Sequence, residues 1–195
     1  MPTSSTFETT ALEKLNATAN VAFDMFLDPD PRNATSTVSP TFEVMVWLAT
    51  IGPTYPIGYF NATSSARPRC KMGGTDFELY TGTNTLNQRV FSWVPTKNTT
   101  SFTGDLAVGI HYLSENNLLP GDNYLGVVQF GTETFFAEEY VTFTAAGISV
   151  DVVRNDSVST TAGGSKSKSA GLRRRRSKGS VVFMALVGAV AVALY

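Results

Sequence analysis

The chain has 195 residues, 43% hydrophobic and 11% aromatic, which is enough to bury one core and too apolar for a disordered chain. All 16 acidic residues precede position 160 together with eight of the 15 basic ones, leaving that body at a net charge of −8. Such a balance excludes a domain that grips nucleic acid, whose phosphates call for the opposite sign.

Residues 1–18 begin "MPTSSTFETTALEKL" and read as an irregular segment with neither the basic nor the apolar region of a signal peptide. A folded domain is expected over 19–155. Its strands are predicted at 19–27, 41–50, 76–82, 88–95, 124–132 and 139–153, where β-branched and aromatic residues collect between Gly, Pro, Asn and Asp. In the first of these, Val21, Phe23 and Met25 alternate with Ala22, Asp24 and Phe26. In the second, "TFEVMVWLAT", Phe42, Val44, Val46 and Leu48 form a core face, and Glu43, Met45 and Trp47 share the other. A row of carboxylate, thioether and indole suits a cleft for a flat, half-apolar ligand; the alternative is an ordinary exposed Glu beside incidental neighbours. Cys70 is the single cysteine, so no disulfide closes within the chain.

Further along, Gly104–Asn117 interrupts the β pattern. Leu106, Ile110 and Leu113 fall on one helical stripe, and Asp105 stands where an N-cap or first-turn residue belongs. His111 lies off that stripe and, as the sole histidine, has no second imidazole with which to build a typical zinc site. The strand "NYLGVVQFGTETFFAEEY" then places Val128, Phe130 and Thr132 opposite Gln129, Gly131, Glu133 and Phe135. Gln129 is placed to bond sugar hydroxyls or to act as a purely structural amide. Strands with a single helix imply an all-β fold of two packed antiparallel sheets, a sandwich or jelly roll.

After this domain come a Ser/Gly/Lys/Arg-rich stalk and spacer, 156–180, and an apolar tail, 181–195. Small residues Ser169-Ala170-Gly171, a polar spacer and an apolar end match the order of a glycosylphosphatidylinositol signal, with lipid attachment at Ser169. The alternative is a membrane tail anchor, for which the apolar run is short against the about 20 residues a spanning helix needs. Glycosylation sequons at Asn16, Asn33, Asn61, Asn98 and Asn155 point to the secretory route and so to a lipid-anchored protein at the cell surface.

Cleavage of a glycosidic bond normally uses two carboxyl groups flanking it, and three strands here each carry one acidic residue on the non-core face. The segments "NVAFDMF", "FEVMVWLATIGPTYPIG", "FELYTG", "VFSWV", "FTGDL" with "GIHYL", and "YLGVVQFGTETF" resemble, in order and spacing, glycoside hydrolase family 12, the compact endo-β-1,4-glucanases and xyloglucanases. The likeness runs from about Asn20 to Val153. It implies a β-jelly roll whose concave sheet forms the cleft, with the helix on the convex side. It also implies a monomeric, retaining hydrolase of β-1,4-glucan such as cellulose or xyloglucan, using no metal or organic cofactor. By the same resemblance Glu43 is the nucleophile, Glu133 the general acid/base and Asp24 the carboxyl that hydrogen-bonds and supports the nucleophile. Trp47 is similar to the family's sugar-stacking platform and Met45 to a contact beneath the reacting sugar. The family's roll begins well upstream of the strand bearing Asp24, so the sequence reads as truncated at its start. Pro53, Phe136-Ala137 and the long Asp28–Pro40 loop depart from the family pattern. Two alternatives stay open: a non-catalytic relative that binds glucan or an inhibitor, and a wall-remodelling transglycosylase.

Overall fold

Period-two alternation in the sequence becomes two sheets that each bury one face against the other. A computed structural model of the chain describes residues 1–61 and 67–152. In chain order its elements are β1 (Pro2–Glu8), α1 (Thr10–Lys14), β2 (Thr18–Asp28), α2 (Pro31–Ala34), β3 (Phe42–Ile51), β4 (Arg69–Met72), β5 (Thr75–Thr83), β6 (Arg89–Pro95), β7 (Ser101–Asp105), α3 (Ala107–Glu115), β8 (Tyr124–Phe136) and β9 (Thr144–Val150). A 3-10 turn, Tyr59–Asn61, follows β3.

The larger sheet has the order β4-β5-β6-β3-β2-β8 and the smaller one β7-β1-β9. Pairing is antiparallel except between β3 and β6, which run parallel. Between the sheets lie Val21, Phe23 and Met25 of β2, Val44, Val46 and Leu48 of β3, Phe91 and Trp93 of β6 and Phe130 of β8, met by Phe7, Phe102 and Val150 of the smaller sheet. Phe7 against Phe130 and Phe23 against Phe102, with ring centroids 6.0 and 6.3 Å apart, tie the two layers together. This is the expected all-β sandwich.

The helix expected over Gly104–Asn117 is α3. Its stripe is buried at Leu106 and Leu113 and half-buried at Ile110, while His111 is exposed. Asp105 accepts the Ala107 N–H at 2.9 Å, the first-turn role its position predicts. Gly109 lets the helix close onto Trp93, on the core side of the larger sheet and away from its acidic face.

The first 18 residues correct the expectation of an irregular segment outside the domain. β1 is the middle strand of the smaller sheet, and Phe7 and Leu12 enter the shared core. The signal was weak because two of the three inward positions carry hydroxyls. Thr3 and Ser5 are buried beside Phe7, and the Thr3 hydroxyl is satisfied by the Met1 carbonyl. β4 and β7, also missed, are short and poor in apolar residues. The strand expected over 139–153 is confined to β9, since Tyr140 projects fully into solvent. The stalk, the apolar tail, Asn155 and Ser169 lie outside the described residues, among which no helix is long and apolar enough to cross a membrane.

Candidate active site

The larger sheet turns a second face away from the core, and side-chain parity decides what stands on it. From β3 come Glu43, Met45 and Trp47, from β2 Asn20, Ala22 and Asp24, from β8 Gln129 and Glu133, and from β6 Val90, Ser92 and Val94. Strand register fixes their mutual positions. Asp24 pairs with Met45 on one side and Gln129 on the other, while Glu43 pairs with Phe26 and Glu133 with Asn20. The three carboxylates predicted from sequence therefore lie on one face of three adjacent strands, with Asp24 on the strand between the two glutamates.

Each carboxyl has a different environment. Asp24 is half-buried, yet its Oδ1 is sealed and receives no N–H or hydroxyl donor. Burial, and then the charges of Glu43 and Glu133, hold Asp24 well above the usual carboxylate range, so it is the neutral acid of the three. Glu43, 8% exposed, is pushed up to about 7, first by burial and then by the charge of Glu133. Glu133 is raised by burial. Both glutamates are thus raised above the ordinary carboxylate range, Glu43 in part by the charge of Glu133. The charge of Glu43 acts on Asp24, and the hydrogen bond expected between Asp24 and the nucleophile is not formed through its sealed Oδ1.

Two amides oppose these shifts, and neither was singled out in the sequence. Asn84, in the turn between β5 and β6, donates from Nδ2 to Glu43 Oε2 at 3.0 Å. Its Oδ1 accepts the Leu86 and Gln88 N–H groups, so the amide is fixed with its nitrogen toward the carboxylate. The same Nδ2 also donates to Gln88 Oε1, and Gln88 in turn donates to the Thr37 carbonyl. Asn20, fully buried, donates to Glu133 Oε2 at 2.6 Å. Parity would have found Asn20, a polar residue two steps beyond Ala22 on the Asp24 face; Asn84 lies in a turn, where parity says nothing.

Trp47 departs from the role expected of it. Its side chain is 2% exposed, packed with Ala22, Met45 and Val90, and its indole N–H donates to Met45 Sδ at 3.4 Å. Trp47 is a wall beneath the carboxylates and has no free face for a sugar ring. Met45, at 4% exposed, is covered as well and belongs to the floor. Gln129 sits half-buried opposite Asp24. The sequon residues Asn16, Asn33, Asn61 and Asn98 are all exposed, and the Asn98 amide clasps the backbone of Thr50. Cys70 is free and half-buried, and burial pushes its thiol up to about 11, leaving it a poor nucleophile.

Comparison with known proteins follows this geometry. The family model for glycosyl hydrolase family 12 matches residues 1–153, reaching further upstream than the resemblance from Asn20. A probable xyloglucan-specific endo-β-1,4-glucanase A of Aspergillus fumigatus is 39% identical over 137 residues, 70% of this chain and 53% of that protein. Xyloglucan-specific endo-β-1,4-glucanase 1 of Phytophthora sojae is 37% identical over 117 residues, 60% of this chain and 45% of that one. The chain spans about half the length of the curated relatives it matches. Among solved structures, the catalytic domain of Humicola grisea Cel12A in complex with a thio cellotetraose aligns with a TM-score of 0.57 at 31% identity, covering 69% of this chain and 55% of that one. Trichoderma harzianum endoglucanase 3 aligns with a TM-score of 0.57 at 30% identity, covering 76% and 62%.

Proposed function

This chain belongs to glycosyl hydrolase family 12, and we propose that its acidic face hydrolyses β-1,4-linked glucan, xyloglucan first among the candidates, with retention at the anomeric carbon. The observation that carries this reading is the strand register that sets Glu43, Asp24 and Glu133 on one sheet face, each glutamate held by its own amide donor. Xyloglucan is preferred because the relatives at 37–39% identity bear that specificity in their names.

In this reading Glu43 attacks the anomeric carbon while Glu133 gives its proton to the departing oxygen, and a glycosyl-enzyme forms. Glu133 then takes a proton from water, which displaces Glu43 and restores both groups. The cycle starts from the microstate with the proton on Glu133 and the charge on Glu43. Neutral Asp24 adds no repulsion to that charge, and the Asn84 N–H stabilises it. Export to the cell surface, with the C-terminal tail as a lipid anchor, accords with four exposed sequon asparagines.

Reducing-end release from xyloglucan and β-glucan, with the anomer followed by NMR, tests the reading. The β-anomer should appear first, and Glu133→Gln should lower kcat by about 10²–10⁴-fold. Binding without release, unchanged by Glu43→Gln or Glu133→Gln, would identify a non-catalytic glucan binder instead.

A further inference from the structure

Trp47 is buried, and an open aromatic surface stands apart from it where the chain leaves β3. The segment 52–61 folds back over β5 on the acidic side of the sheet. A side chain at Gly82 would collide with Ile57, which therefore rests directly on that strand. Tyr59 stacks on Tyr80 of β5 with centroids 5.7 Å apart and planes 17° from parallel. Tyr55 and Phe60 pack on Tyr59 at 4.6 and 5.1 Å. The Arg67 guanidinium flanks both rings, 4.5 Å from the centre of Tyr80 and 5.8 Å from that of Tyr59, and is paired with Glu78 at 3.8 Å. The outer rings of this stack are open, with Tyr55 48% and Phe60 81% exposed.

Register measures how far this wall stands from the reaction centre. Gly82 pairs with Val90, which pairs with Glu43, and Tyr80 pairs with Ser92, which pairs with Met45 beside Asp24. Two strand steps separate β5 from β3 and three separate it from β2, or roughly 10 and 14 Å. A β-1,4-linked sugar advances about 5 Å per residue, close to one strand spacing. A glucan crossing the strands would thus meet the wall two to three sugars from the scissile bond.

We infer that Tyr55, Tyr59 and Phe60 form an aromatic subsite that grips the glucan chain two to three residues from the cleaved linkage, on the Glu43 side. A sugar ring has apolar faces and a polar rim. The wall offers the same mixture, with aromatic faces beside the Arg67, Arg69 and Glu78 heads, on the same sheet two strands from Glu43. The inference rests on the reading of this chain as a glucan hydrolase, and it predicts a dependence on substrate length.

Calorimetry on the Glu133→Gln protein, titrated with cellobiose and with cellohexaose, tests it. Phe60→Ala and Tyr55→Ala should leave cellobiose binding unchanged and weaken cellohexaose about three- to tenfold. Because Phe60 packs so little, its variant should melt with the parent. Equal affinities for cellohexaose before and after substitution, or equal losses at both lengths, would overturn the subsite. If wild type releases no reducing ends while the length-dependent loss persists, the hydrolytic reading falls and the subsite stands. If neither oligosaccharide binds, both fall.

Discussion

Asn84 is locked with its amide nitrogen toward Glu43, where it donates to Glu43 and to Gln88, because its oxygen already accepts two backbone N–H groups of the β5–β6 turn. Asn20 holds Glu133 in the same sense from β2, 2.6 Å away. Both N–H groups favour the ionised carboxylate, so removing either should raise the pKa of the carboxyl it serves. The two effects fall on opposite limbs of the pH–rate profile. Asn84→Ala should move the acid limb upward, since Glu43 must be ionised to attack. Asn20→Ala should move the alkaline limb upward, since Glu133 must be protonated to donate. Profiles of kcat/KM for the two variants decide the assignment, and swapped limbs would mean swapped roles.

The raised carboxyls also make stability depend on pH. A carboxyl whose folded pKa lies above its unfolded value favours folding while it is protonated. That contribution is complete below the ordinary value and is lost as pH rises through the folded one. For Glu43 the window runs from 4.5 to about 7, and ionisation across it costs about 3 kcal/mol of folding free energy. Glu43→Gln should therefore melt higher than the parent near neutral pH and converge with it below pH of about 4.5. Melting temperatures across this range check it; parallel curves would show that Glu43 is not under such pressure.

Gly109 faces a contest between helix propensity and packing. Alanine gains about 0.8–1.0 kcal/mol over glycine inside a helix. Its methyl, however, would stand 2.8 Å from Trp93 Nε1 and 3.0 Å from Cδ1. Trp93 is fully buried and wedged edge-on against Tyr112, so it has little room to yield. Overpacking of this kind costs about 1–3 kcal/mol, and the clash should win. Gly109→Ala is expected to lower Tm by about 2–6 °C, measured by calorimetry.

Much of the candidate site's geometry is legible in the sequence, for a simple reason. Strand parity is rigid, so the opposition of Glu43 to Val44, Asp24 to Phe23 and Glu133 to Phe130 survives folding unchanged. What parity cannot tell is how deeply a face is covered, and Trp47 was misread for that reason: neighbours from β2 and β6 close over it. Asn84 escaped notice because its role depends on a turn that carries a side chain across from β5 to β3. β1 escaped because hydroxyl side chains occupy inward positions where the pattern looks for apolar ones.

The most direct measurement is covalent trapping. Wild-type protein treated with a fluorosugar β-glucoside that forms the glycosyl-enzyme but hydrolyses slowly should yield, after proteolysis and mass spectrometry, one labelled peptide modified at Glu43. A label on Glu133, or turnover that proceeds with inversion and leaves no label at all, would contradict the account.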